Sequence, residues 1–465
     1  MYPKMQTFFI MGLSKSGVSA TRFLLSRGAK VFIYDDATSE RMEKTVKELE
    51  EIGAIRVDKE GALKMPEKCD AIVLSPGIAI DHSLAVAFKR KGKAVLGETE
   101  LAARYMRSAI VAVTGTNGKT TTVSILGDIF ERFGLKTAVC GNVGTPMLDF
   151  VDLDENAVAV AEISSFQLET LSSVRPHIAV ILNVTEDHLN RHYTMENYLF
   201  LKAKLLKNLT ETEHALLNFD DENVRSFAEK TRAKCFWFSL KTRVPGAYLQ
   251  DKELWFFNEK IMSADDLFAG GAHNIQNALA CICVAKFIGV DTKTIVEVLT
   301  NFKGVKHRIQ TIAEEDGVTY IDDSKATNSD ATIKAVEAMK KDTVLLLGGK
   351  SKGYDYVNLF EKIKDTKVVH AVLYGENRYE LLDGARKNNF RGVSVCENFE
   401  FAVRVAALKA KGGQAVLLSP ASASFDEFSG YEERGDAFIE IVQKLRKEEK
   451  SSEEVIKLLP PAEEE

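Results

Sequence analysis

The sequence predicts an α/β protein of three consecutive units, and three observations carry that expectation. Short apolar runs of strand type recur at Thr7–Met11, Lys30–Tyr34, Ala71–Leu74, Ile110–Val113, Ala157–Ile163, His177–Leu182, Val318–Ile321, Thr343–Leu347 and Ala415–Leu418. Each ends in small or polar residues, several of which open a helical stretch, as in open parallel sheets that carry their sites at the carboxyl ends of the strands. The alternation restarts after Gly97 and again from Gly304, which divides the chain into residues 1–97, 98–303 and 304–465. A length of 465 residues suits three domains at roughly 100 to 200 residues each.

Composition narrows the classes of function. Hydrophobic residues make up 45% of the chain and the net charge is −6 with both signs interspersed, so no basic face points to nucleic acid and no polybasic cluster to a membrane. The six cysteines (Cys69, Cys140, Cys235, Cys281, Cys283 and Cys396) form no C-x-x-C or Cys/His pair, and read as buried thiols of a reducing compartment. The apolar run Phe8–Leu13 is broken by Gly12 and is too short to span a bilayer. A cytoplasmic protein is expected.

In the first unit, strand Thr7–Met11 leads through the turn Gly12-Leu-Ser-Lys-Ser-Gly17 into a helix from Val18 to Arg27, and strand Lys30–Tyr34 ends at Asp35-Asp36. An acidic pair at the end of the second strand suits a ribose or uridine-type group. Ser14 stands where the dinucleotide fingerprint wants its second glycine, so the fingerprint is degenerate and a plain turn remains open. Ser75-Pro76-Gly77-Ile78 is a second small-residue turn at the same end of the sheet.

The second unit holds the most informative stretch, Val111–Val123, VAVTGTNGKTTTV. A buried strand, a glycine turn and a helix from about Thr121 to Phe133 are expected, with backbone N–H groups of Gly115, Thr116, Asn117 and Gly118 converging on an anion. Lys119 adds a positive charge. Thr120 supplies a hydroxyl suited to a magnesium ion on phosphate oxygens, and Thr121 continues the turn. Val113 occupies the place of the first glycine of the usual phosphate-loop pattern, yet Lys-Thr-Thr at a helix start is a poor place for charge without a polyphosphate, so ATP is the expected ligand.

Downstream strands end in Glu162-Ile-Ser-Ser-Phe-Gln167 and in Asn183-Val-Thr-Glu-Asp-His188. Glu162 and His188, both at strand ends beyond a phosphate loop, suggest coordination of a divalent metal. The helix Met195–Leu209 carries Lys202, Lys204 and Lys207, which periodicity alone reads as a solvated basic face. His273-Asn274 opens a helix with Asn277 on its first turns; Asn274 suits either an adenine or a helix cap. In the third unit, DDSKATN (322–328), GGKSK (348–352) and SPASASF (419–425) follow three strands, a set of lysines and hydroxyls suited to a small carboxylate ligand. The Lys/Glu-rich tail from Lys444 is expected to fray.

These runs, together with GNVG, HNIQNA, KHR, LLLGGKSKG and YEERG, resemble the Mur ligases of peptidoglycan synthesis over nearly the whole chain. TGTNGKT marks the wider ligase superfamily, whereas DDSKATN, LLLGGKSKG and SPASASFDEF are far more specific. The resemblance implies a Rossmann-like N-terminal domain, a central mononucleotide-binding ATPase domain of phosphate-loop type and a Rossmann-like C-terminal domain. It also implies an ATP-dependent ligase that joins UDP-N-acetylmuramoyl-L-alanine to D-glutamate through an acyl phosphate, as a cytoplasmic monomer using two magnesium ions. Lys15, Ser16, Asp35, Asp36, Ser75, Gly77, Asn142, Ser164 and Gln167 would then hold the UDP substrate. Asn274, Asn277, Arg308, Asp323 and Lys325 would join the loop at ATP, and Thr327, Lys352, Ser424, Phe425 and Tyr431 would bind D-glutamate. Lys119, Glu162, His188 and Lys202 would be catalytic, with Thr120, Glu162, His188 and Lys202, the last as a carbamate, on metal. A sister ligase for another amino acid and a nucleotide-sensing binding protein are the alternatives.

Overall fold

The computed structural model describes residues 6–37, 39–142, 144–351 and 356–458. The chain forms two compact units, Met1–Lys303 with two sheets and Gly304–Glu465 with one.

The first sheet contains β1 (Thr7–Met11), β2 (Lys30–Tyr34), β3 (Ile55–Arg56), β4 (Ala71–Leu74) and β5 (Ala94–Gly97), all parallel in the order β3-β2-β1-β4-β5. That order reverses direction at β1, and such a switch point opens a crevice at the carboxyl ends of β1 and β4. Strands β1 and β4 read as unbroken apolar runs because they are covered on both faces.

The second sheet has nine strands: β6 (Ala109–Thr114), β7 (Thr137–Gly141), β8 (Val158–Glu162), β9 (Ile178–Ile181), β10 (His214–Asn218), β11 (Lys234–Ser239), β12 (Gly246–Gln250), β13 (Glu253–Phe256) and β14 (Glu259–Ser263). Their order is β14-β13-β12-β11-β10-β9-β6-β8-β7. All pairs from β7 to β12 are parallel, and β13 and β14 close the far edge as antiparallel strands. Strand β6 thus lies between β8 and β9, so the three loops that leave these strands emerge side by side. The helix Ala272–Ile288 is wrapped in apolar neighbours, with Ala278–Ala285 wholly buried.

The second unit contains β15 (Gln310–Glu315), β16 (Val318–Asp322), β17 (Thr343–Gly348), β18 (Val368–Tyr374), β19 (Val393–Val395) and β20 (Ala415–Leu418), in the order β15-β16-β20-β17-β18-β19. Only β15 runs antiparallel. The final helix runs Tyr431–Leu458, so the backbone stays helical past Lys444, where fraying was expected. Lys444 pairs with Glu440 one turn earlier at 2.9 Å, a spacing that supports an exposed helix.

The sequence-predicted strand bounds shift by one residue or less at most sites, and the helix after the phosphate loop begins earlier than expected, at Lys119. The lysine-rich helix is shorter, Met195–Ala203, and its basic residues do not make a solvated face. Lys202 is 1% exposed and Lys204 is half-buried, because this helix lies against the helix Ser165–Thr170 and the loop after β6.

Candidate active site

In the first sheet, the degenerate fingerprint works because its first and last glycines do the steric task. A Cβ on Gly17 would lie 1.9 Å from the Gly12 carbonyl oxygen, so only glycine lets the helix start this close to the strand end. Ser14 needs no such freedom; its hydroxyl donates to Ser75 Oγ (3.3 Å), and Ser75 Oγ donates to Gly12 O (2.7 Å). The two turns expected to face one crevice are therefore hydrogen-bonded to each other. Asp35 is partly used by the backbone, accepting from Leu13 N (2.6 Å) and Ala37 N (2.8 Å), while Asp36 accepts from the Tyr34 hydroxyl (2.5 Å). That phenol is pushed up to about 12, first by the bond to Asp36 and then by desolvation. A cavity of 730 Å³ is lined by Leu13, Tyr34, Asp35, Asp36, Arg56 and their neighbours. Lys15 is exposed and Ser16 partly exposed at the start of the adjoining helix.

The phosphate loop leaves β6 and turns at Gly118, whose φ of 88° is the left-handed conformation that glycine adopts without strain. It is clamped by Asn183 at the end of the neighbouring strand: Asn183 Oδ1 accepts from Asn117 N (2.8 Å), Asn183 Nδ2 donates to Asn117 O (3.0 Å), and Thr116 N donates to Asn183 O (2.9 Å), so these two N–H groups, expected to face an anion, hold the loop in shape instead. Lys119 folds over the loop, with Nζ donating to Gly115 O (2.9 Å) and Thr116 O (2.8 Å). Thr120 Oγ1 donates to Glu162 Oε2 (2.7 Å), and Asn142 Nδ2 to Glu162 Oε1 (2.8 Å). Glu162 is buried at 2% exposure, so the site holds a desolvated carboxylate beside a hydroxyl at a helix start.

Lys202 reaches the same loop from below, donating to Gly115 O (2.8 Å) and Thr114 Oγ1 (3.1 Å). Burial, and then the charge of Lys119, hold its ammonium well below the usual lysine range. Asn277 presses on the loop from the other side, since a Cβ on Gly118 would sit 2.4 Å from Asn277 Oδ1. Asn277 Nδ2 and Thr121 Oγ1 are buried and have no hydrogen-bond partner among the described residues. Buried polar atoms without protein partners beside a phosphate-type turn suit a polar ligand there. Asn274 instead donates to Gly270 O (3.0 Å) at the helix start.

His188 adopts φ 56° and contacts Asp187 (Nε2–Oδ2 3.5 Å) and the Phe166 ring (centroids 4.8 Å apart). Ser164 and Gln167 form a capping box for the helix Ser165–Thr170, and Gln167 Nε2 donates to Thr99 Oγ1 (2.9 Å). Both side chains are thus engaged inside the protein.

The magnesium expected here meets a fitting set of donors. Among the described residues no group of three or more His, Cys, Asp or Glu side chains could hold a metal ion by itself. Thr120 and Glu162 offer two hard oxygens, which suits an ion that takes one or two protein ligands and completes its shell with phosphate and water.

In the second unit, Asp323 accepts from Ser419 Oγ (2.7 Å) and Ile309 N (3.2 Å), and burial pushes it up to about 7 against the opposing charge of Arg308. Lys325 lies over the Tyr431 ring (4.1 Å to the centroid) and donates to its hydroxyl (2.7 Å). Thr327 lies in the loop after β16; in the loop after β20, Ser424 is buried and Phe425 is 70% exposed. Lys352 lies outside the described residues. The sequence reading missed Arg434, which is fully buried and donates to Ser324 Oγ (3.0 Å), Ser324 O (2.8 Å) and Ser422 O (3.1 Å), tying together two of the strand-end loops. It also left out Asn183, although the position directly after an apolar run beside the loop was a usable signal.

A phosphate-binding turn at a central parallel strand, with a buried carboxylate and a hydroxyl beside it, defines a nucleotide-binding α/β protein. The chain belongs to the Mur ligase family. Its residues 6–97 match the Mur ligase MurD-like N-terminal domain, 113–285 the Mur ligase middle domain and 307–422 the Mur ligase glutamate ligase domain. It is 40% identical over 448 residues to a UDP-N-acetylmuramoylalanine–D-glutamate ligase of Caldanaerobacter subterraneus subsp. tengcongensis, covering 96% of this chain and 99% of that relative. It is 38% identical over 443 residues to the ligase of the same name from Clostridioides difficile, covering 94% and 98%. Among solved structures, the UDP-N-acetylmuramate-alanine ligase MurC of Thermotoga maritima shares the fold with a TM-score of 0.62 at 17% identity, covering 95% of this chain and 99% of that one.

Proposed function

We propose that the protein is an ATP-dependent ligase that forms the amide bond between UDP-N-acetylmuramoyl-L-alanine and D-glutamate, in cytoplasmic synthesis of cell-wall precursors. The observation that carries the chemistry is the meeting of Lys119, Thr120, Asn142 and Glu162 at the ends of β6, β7 and β8. The choice of substrates rests on the named relatives, 99% and 98% of whose lengths are covered.

In this reaction a carboxylate oxygen of the UDP substrate attacks the γ-phosphorus of ATP and ADP departs, leaving an acyl phosphate. The neutral amine of D-glutamate then attacks the acyl carbon, phosphate leaves and the amine proton is lost. Two anions must first be brought together, so positioning and charge neutralisation are most of the catalysis. With the N–H groups of Thr116 and Asn117 held by Asn183, those of Gly118 to Thr120 at the helix start would cradle the phosphates, and Lys119 swings from the loop carbonyls onto the transferring group. Magnesium, when bound, neutralises phosphate charge; Thr120 and Glu162 would hold one ion, and His188 with a carbamylated Lys202 a second. Burial that holds a lysine below its usual range favours the neutral amine that carbon dioxide requires. Asp35, Asp36, Lys15, Ser16, Ser75 and Gly77 receive the UDP portion, and Thr327, Lys352, Ser424, Phe425 and Tyr431 select the amino acid. We read the chain as three domains, 1–97, 98–303 and 304–465, acting as a monomer.

The test is ADP release as a function of both acceptors. Turnover that requires UDP-N-acetylmuramoyl-L-alanine and D-glutamate together supports the reading. Turnover with a different amino acid makes the protein a sister ligase, and saturable NAD binding without amino-acid-dependent turnover makes it a nucleotide sensor.

A further inference from the structure

Between His188 and the helix that carries Lys202, the backbone reverses twice. His188 sits at φ 56°, and Tyr193 at φ 66° and ψ −45°. Thr194 N donates to His192 O at 2.8 Å, so residues 192–194 form a γ-turn whose central residue has positive φ. That form is rare, and for a bulky side chain it persists only where the surroundings hold it.

Tyr193 and part of Arg191 are held by the loop after β4. The Tyr193 hydroxyl donates to Asp81 Oδ2 (2.6 Å), and Arg191 donates to the carbonyls of Gly77 (3.2 Å) and Ile78 (2.8 Å). Nη2, which reaches Ile78 O, also forks with Nε onto Glu169 (Nε–Oε1 2.9 Å, Nη2–Oε2 2.6 Å), and the guanidinium lies over the Phe166 ring at 5.0 Å from the centroid. Phe166 touches His188, and its neighbour Ser165 meets His192 Nε2 at 3.0 Å. Burial lowers His192 to about 4, so the ring is neutral and stacks on Tyr198 (5.5 Å between centroids). Tyr198 in turn reaches Thr116 Oγ1 of the phosphate loop at 3.1 Å. Contacts therefore run without a gap from the Ser75–Ile78 turn to the phosphate loop, and a strained turn sits among them.

We propose that Arg191 and Tyr193 form a clasp through which a nucleotide-sugar seated against the Ser75–Ile78 turn raises the affinity of the phosphate loop for nucleoside triphosphate. The inference rests on the function proposed above, which places the UDP substrate at that turn. The bistable element is the γ-turn: held by Asp81 and the turn carbonyls it fixes His188 and Phe166 beside the loop, and released it relaxes and carries them away. Both act as positioning residues, through Gly77 and His188. The coupling is reciprocal by linkage, so the triphosphate tightens the nucleotide-sugar equally. It would keep ATP from being committed before the acceptor carboxylate is in place.

The test measures affinity for a non-hydrolysable ATP analogue by calorimetry, with and without saturating UDP-N-acetylmuramoyl-L-alanine. The wild type should bind the analogue on the order of tenfold tighter in its presence. In Arg191→Lys and in Tyr193→Phe that ratio should fall toward one, while affinity for the analogue alone changes by no more than about twofold, and KM for the UDP substrate rises by about the lost factor. The KM for D-glutamate should stay put. Arg191→Lys loses the fork on half-buried Glu169, so melting temperatures are read alongside; Tyr193→Phe removes one oxygen from a side chain that is 69% exposed and stands as the test if the first variant does not fold. Full coupling in a folded Tyr193→Phe, or a wild type that turns over with no coupling, overturns the clasp. A wild type that neither binds the UDP substrate nor turns over overturns the functional reading and the clasp with it.

Discussion

Thr120 Oγ1 donates to Glu162 Oε2 at 2.7 Å, so the first turn of the helix after β6 and the last residue of β8 are joined oxygen to oxygen. Glu162 also takes a bond from Asn142, and an amide at position 162 can keep both contacts while losing the charge. Glu162→Gln should therefore melt close to the wild type yet lose on the order of a hundredfold or more in kcat, with a raised magnesium requirement. Thermal melts beside steady-state rates across a magnesium titration check this.

Lys119→Ala removes the cation that covers Gly115 O and Thr116 O, and leaves the transferring phosphoryl group without it. Turnover should fall to background, a cost of several kcal/mol in transition-state binding, while the circular dichroism spectrum stays unchanged. Near-normal rates from the folded variant would mean that the lysine does not face the phosphates.

Lys202→Ala should be nearly inactive, and a short carboxylate in the buffer should partly restore it by supplying the oxygens of a carbamate. Carbon-13 bicarbonate should give the wild type a carbamate NMR signal that the variant lacks. Full activity of the variant together with no signal in the wild type would leave Lys202 as a buried structural partner of Thr114 and Gly115.

Glu98 begins the helix that connects the first two sheets, and burial pushes its carboxyl from 4.5 up to about 7. Between those values the folded chain keeps a proton that the unfolded chain has released, so stability falls as pH rises through that window. Glu98→Gln removes the titration and can still accept from Leu148 N. The variant should gain roughly 1–3 kcal/mol over the wild type at pH 8 and little at pH 4.5, read from denaturant melts at both values.

Much of the scaffold was legible because parallel strands buried on both faces leave unbroken apolar runs: β1, β2, β4 and β20 fall where those runs were drawn. The antiparallel edge was not. Its β12–β13 hairpin turns at Asp251-Lys252, both with positive φ, where the usual signal would be Asn-Gly or Asp-Gly. Lys202 shows the limit for sites. Periodicity tells which side a residue occupies but not what lies against that side, and here the partner is a loop some 87 positions earlier in the chain. Arg191 was invisible for the same reason, its carbonyl partners being 113 and 114 positions away.

The place of β6 between β8 and β9 makes the backbone ladder a ruler for the chemistry. Neighbouring strands lie about 4.8 Å apart whatever their side chains, so Glu162, the phosphate loop and Asn183 are spaced by main-chain hydrogen bonds. Substitution within these strands can loosen the sheet or empty a cavity, yet it cannot re-space the three groups by a fraction of a strand. Drift in sequence is thereby steered into what the loops present, and the intervals between phosphate cradle, carboxylate and clamp are inherited as a fixed grid.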